Sequence, residues 1–118
     1  MIPRRVQLQN QHLWLLERLT DYHSAREEYA LTIDLCRRAL AVDECQEAIW
    51  RRLMTSLWRS GETTAALRAY VACQEVLTRE LDVPPEPETI ALAEEIRRAA
   101  ARPAWRSHPA SFPTHHLP

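Results

Sequence analysis

Apolar residues recur at intervals of three and four along most of the chain, which predicts a succession of amphipathic helices. Leu8, His12, Leu15, Leu16 and Leu19 give the first, after a ragged lead-in over residues 1–7. It is expected to run to about Arg26 and to carry Tyr22 and His23. A polar break over residues 24–28 has no Gly or Pro, so its position is loosely defined. Tyr29, Ile33, Cys36, Ala39 and Leu40 share one face of a second helix, with Asp34 and Arg38 as an i,i+4 pair outside. Asp43 is the expected N-cap of the third helix, with Gln46 completing a capping box. That helix carries Ile49, Trp50, Leu53, Met54 and Leu57 inward and Glu47–Arg51 as an outer pair. It stops at Ser60–Gly61, which holds the single glycine of the chain.

The fourth helix is expected from about Glu62 to Leu81. Ala66, Leu67, Tyr70, Cys73, Val76, Leu77 and Leu81 point inward, and Glu75–Arg79 pair outside. The prolines of Val83–Pro87 break it, because proline lacks the amide donor and clashes with the preceding turn. Pro87 is placed as N1 of a fifth helix, with Glu88 at its positive end, running to about Ala101 and burying Ile90, Ala93 and Ile96. Residues 102–118 contain four prolines and no periodicity, and read as a disordered tail to a single domain over residues 1–101.

A shift of 34 residues superimposes Leu16 on Trp50, Leu19 on Leu53, Thr20 on Met54 and His23 on Leu57. The same shift places Thr32 on Ala66, Cys36 on Tyr70 and Ala39 on Cys73. A helix–turn–helix unit of that period resembles the tetratricopeptide repeat (TPR). The second copy, Trp50 to Cys73, fits the pattern well. The first is degraded, with Thr32 where a small apolar residue is usual. Thr32 is expected to fit by bonding its hydroxyl back to the helix. The fold class is therefore all-α: a TPR-like array of two helix–turn–helix units plus a C-terminal capping helix.

The segment from Ala39 to Leu92 narrows the resemblance. Glu47–Ala48–Ile49–Trp50–Arg51–Arg52–Leu53–Met54 resembles the E-A-x-R-x-L-M helix of the bacterial transcriptional activation domain in regulators of the SARP type. Leu81 to Thr89 is similar to that family's L-G-V-x-P-S-P-E-T stretch, and is the most specific part of the match. The resemblance implies a protein-interaction domain of a transcriptional regulator. In that family a winged helix–turn–helix domain normally precedes this one. Nothing in the chain corresponds to it, so direct nucleic-acid binding is not expected here.

Composition adds little chemistry. The net charge is −1, and all fifteen basic residues are Arg, which suggests a GC-rich coding sequence. Cys36, Cys45 and Cys73 are widely spaced, with no CxxC and no Cys/His set at zinc spacing. They read as reduced thiols of a cytoplasmic protein, and Cys45, near a helix start, is a candidate for a lowered pKa. No apolar run reaches transmembrane length. His115–His116 lacks further ligands, and His12 and His23 read as packed residues rather than bases. No catalytic or cofactor motif is present, so neither an enzyme nor a cofactor is expected.

The candidate partner site is the concave side of the array. Its expected lining is Trp14, Glu17, Arg18 and Asp21 from the first unit, and Arg51, Arg52, Thr55, Trp58 and Arg59 from the second. Trp beside Arg suits a peptide hot spot. Equally, Trp14 and Trp58 can pack against the fifth helix or the N-terminal segment, while Arg51 and Arg52 read first as a solvated face paired with Glu47 and its neighbours. The expected partner is a protein: polymerase, another regulator domain or a second copy. A stand-alone adaptor gripping a peptide, unconnected with transcription, is the alternative.

Overall fold

A computed structural model describes residues 4–25 and 28–102, with side chains at 13–23 and 28–102. Five helices follow one another: α1 (Arg4–Ala25), α2 (Tyr29–Val42), α3 (Glu47–Arg59), α4 (Thr63–Leu81) and α5 (Pro87–Ala101). No strand occurs among the described residues, and the chain is an all-α helical repeat array. The expected tail, the histidine pair within it and the side chain of His12 lie outside the described residues. No helix among the described residues is long and apolar enough to cross a membrane.

Neighbours in sequence are neighbours in space: α1 packs on α2, α2 on α3, α3 on α4, and α5 on both α4 and α3. Short connections make such neighbours antiparallel. α1 and α3 each turn an i, i+4, i+7 triplet inward: Leu16, Thr20 and the half-buried His23, then Trp50, Met54 and Leu57. α5 repeats the spacing with Thr89, Ala93 and Ile96, all fully buried. Trp50 and Thr89 are 39 positions apart, against 34 between Leu16 and Trp50, so the proline segment before α5 accounts for five extra residues.

The two hydroxyls of the degraded unit are satisfied locally. Thr20 Oγ1 donates to Leu16 O at 2.8 Å, and Thr32 Oγ1 donates to Glu28 O at 2.9 Å, so both threonines sit fully buried without an unpaired donor. The Trp50 indole donates to Glu44 O at 2.7 Å and ties the α2–α3 turn to the core. Gly61 takes φ +92 after α3. Glu62 N donates to Leu57 O and Gly61 N to Trp58 O, the paired bonds of a Schellman cap. Asp82 takes the same left-handed role after α4 at φ 53, where an L side chain is disfavoured.

Several expectations change. α1 begins at Arg4, inside the supposed lead-in, because Arg and Gln favour helix and nothing after Pro3 interrupts it. Asp43 is the C-cap of α2 rather than the N-cap of α3, and its carboxylate accepts from Cys45 N in a local turn. Leu15, Leu19 and Leu81 face solvent. The Asp34–Arg38 pair forms at 3.0 Å. Glu47–Arg51 and Glu75–Arg79 give way to other partners, since Arg51 reaches α5 and Arg79 bonds the distant Glu44 and the adjacent Glu80.

Candidate partner-binding site

Arg51 and Arg52 are adjacent on α3 and reach in opposite directions. Arg51 Nη1 donates to Glu86 Oε1 at 3.2 Å and to Thr89 Oγ1 at 3.0 Å, while its Nη2 lies 3.7 Å from Glu88 Oε2. Glu47, one turn earlier, completes the clasp. Its Oε2 accepts from Thr89 Oγ1 at 2.6 Å and from the backbone N–H of Glu86. The segment from Glu86 to Thr89 is thus tied to α3 by both of its expected surface residues. Arg52 turns the other way and pairs with Asp21 of α1. Both partners there are about half exposed, whereas Arg51 is mostly covered.

Two depressions lie beside these pairs. The larger, about 390 Å³, is lined by Ala48, Arg51, Arg52, Thr55, Glu88 and Leu92. The smaller, about 160 Å³, is lined by Glu17, Asp21, Gln46, Ala48, Ile49 and Arg52. Ala48 and Arg52 belong to both, so the two depressions adjoin at Arg52, the larger toward α5 and the smaller toward α1.

Five of the nine expected residues therefore line the groove: Glu17, Asp21, Arg51, Arg52 and Thr55. Trp14 and Arg18 line neither depression. Both are exposed, and the Arg18 guanidinium sits 5.7 Å from the Trp14 ring centre in a cation–π contact on α1. Trp58 is half-buried and packs against the core, and Arg59 is exposed at the end of α3. Ala48, Glu88 and Leu92 were not among the expected lining residues. Ala48 is too small to register in a search for anchors, and the other two reach the groove through the fold of α5.

The thiols are not activated. Burial pushes Cys36 and Cys73 up to about 12. Cys45 is also raised, by loss of solvation first and then by the carboxylates of Asp43, Glu80 and Glu44. Those carboxylates outweigh any benefit from the α3 start, so the expected lowering at Cys45 does not occur.

The domain model for the bacterial transcriptional activator domain matches residues 1–97. The chain belongs to the bacterial transcriptional activator domain family. Among curated relatives, regulatory protein AfsR of Streptomyces griseus is 32% identical over 104 residues, which is 86% of this chain. The chain spans 11% of the length of that regulator. No solved structure matches it. In this activator domain the Glu86–Thr89 segment, read from sequence as a helix start and as part of the family's most specific stretch, is also the part that docks α5 against α3.

Proposed function

We propose that this activator domain acts by contacting a partner protein through the groove between α1, α3 and α5. The observation that supports this most directly is the larger depression, where apolar Ala48 and Leu92 meet Thr55 and Arg52. Its volume of about 390 Å³ suits a few inserted side chains rather than a flat protein surface, since ligand clefts run from roughly 300 to 1,000 Å³.

The chemistry suggests which segment fits. Arg51 is committed to Glu86, Glu88 and Thr89, so Arg52 is the guanidinium open to exchange. A half-exposed ion pair is worth only about 0–1 kcal/mol. A partner carboxylate can replace Asp21 on Arg52 at little expense and gain a charge-assisted bond beside an apolar contact. The favoured partner segment is therefore short and apolar, with an acidic side chain. A polymerase subunit, another regulator domain or a second copy are the candidate sources. With a net charge of −1 the chain offers nucleic acid no general electrostatic attraction.

The test is reporter activation in a bacterial host by the full chain fused to an unrelated DNA-binding domain. Ala48→Glu and Thr55→Arg should each abolish activation while helix content by circular dichroism is kept. Activation unchanged in both variants would remove the groove from the mechanism.

A further inference from the structure

Exchange at Arg52 leaves a charge to be balanced. Among the described residues Asp21 has Arg52 as its ion-pair partner and no other. A partner carboxylate that takes Arg52 therefore strips Asp21 of its cation. Glu17 stands one turn earlier on α1, at i,i+4 spacing from Asp21, and both line the smaller depression. The Glu17 side chain is half-buried and makes no hydrogen bond or ion pair among the described residues. Like charges at that spacing repel. With Arg52 turned to a partner, the depression holds two carboxylates and no cation, since Gln46, Ala48 and Ile49 complete its lining. On the α5 side the charges are already matched: Arg51 is bonded to Glu86 and lies beside Glu88.

We infer, resting on the groove reading above, that the partner segment is bipolar: beside the carboxylate that takes Arg52 it carries a basic side chain that seats between Glu17 and Asp21. Charge complementarity supports this occupant, and so does size. A depression of about 160 Å³ is room for the end of one long side chain, at about 30 Å³ for each water-sized group. Ala48 and Ile49 in its wall suit the apolar stem, while the charged head meets the carboxylates. Arginine is favoured over lysine, because its planar fork serves two carboxylates at once. From α1 to α5 the segment thus presents a base, an acid and an apolar side chain. A purely acidic segment adds a negative group beside Glu17 and the released Asp21. A purely basic one competes with Arg52 for Asp21 and leaves Arg52 unpaired.

The full chain is panned with a phage library of random short linear peptides, and the same library is panned on the Ala48→Glu variant. Peptides retained by the native chain and lost on Ala48→Glu should share a basic residue close to an acidic and an apolar one. For a synthesised member of that pool, Glu17→Gln should weaken binding several-fold with helix content kept. It should cost nothing further once the peptide's basic residue is replaced by glutamine, since the two changes remove one interaction. Glu75→Gln, at an exposed carboxylate on α4, should leave affinity unchanged, which excludes a general effect of net charge. A pool that discriminates against Ala48→Glu but lacks the basic residue overturns the inference and leaves the groove standing, and so do losses that simply add. A pool retained equally by Ala48→Glu removes the groove and the inference together. No enrichment on the native chain also overturns the inference, and the reporter variants then decide the groove on their own.

Discussion

Arg51 of α3 and Thr89 of α5 meet at 3.0 Å, and the same threonine hydroxyl donates to Glu47 at 2.6 Å. One buried side chain thereby joins a cation and an anion of the neighbouring helix. Thr89→Val keeps the shape and removes the hydroxyl. It should lower stability by about 1–3 kcal/mol, because a buried bonding group is lost from two charged partners. Urea unfolding measures the loss, and hydrogen exchange should show it concentrated in residues 87–101. An unchanged midpoint would mean that the clasp contributes nothing.

Arg52 and Asp21 should behave differently. Their pair is half exposed, so Arg52→Ala should change stability by less than about 1 kcal/mol. Arg51→Ala should cost clearly more, since it also strips Thr89 and Glu86 of a partner. Thermal unfolding of the two single variants decides the order. Equal losses would contradict the division of labour between these neighbours.

The helix ends offer a test of opposite sign. Asp82 adopts φ 53 and Gly61 φ +92. Asp82→Gly should stabilise by about 0.5–1 kcal/mol, the relief of left-handed strain less the added freedom of the unfolded chain. Gly61→Ala should destabilise by about 1–2 kcal/mol from backbone strain alone, because an added Cβ meets nothing within 4 Å. Matched urea titrations give both values.

Thiol chemistry should be confined to one position. Cys36 and Cys73 are fully buried, and their pKa values are pushed up to about 12. In the native chain a disulfide reagent at pH 8 should label Cys45 alone, and more slowly than a small free thiol, since its pKa is raised. The two buried thiols also link stability to pH. Their folded pKa lies above the ordinary thiol value of 9.0, so their contribution is intact below pH 9 and is lost as pH rises from 9 toward 12. Cys36→Ala with Cys73→Ala should flatten that alkaline loss in a denaturation series. A slope unchanged in the double variant would assign it to other groups.

Local periodicity carried most of the fold. The buried faces of α2 and α3, the Gly61 stop and the full span of α5 follow from spacing and breakers within a few residues. What periodicity could not supply is which apolar face is covered. α1 has two, and Leu15 and Leu19 belong to the uncovered one. It also assigned Arg51 to the nearer Glu47. Partners 35 and 38 positions away, Glu86 and Thr89, offer it a helix start with several acceptors at once. The groove was legible through Glu17, Asp21, Arg52 and Thr55, which share a helix face by spacing. Leu92 and Glu88 enter only when the chain doubles back.

The opposite reach of Arg51 and Arg52 has a consequence for competing ligands. Toward α5 the array is fastened by several bonds gathered around the buried Thr89. Toward α1 the charged link among the described residues is the Arg52–Asp21 pair, open to water. A carboxylate entering the groove meets several bonds to displace on the α5 side and a half-exposed ion pair on the α1 side. Which of two successive arginines faces which neighbour thus decides where a competing carboxylate finds the weaker ion pair.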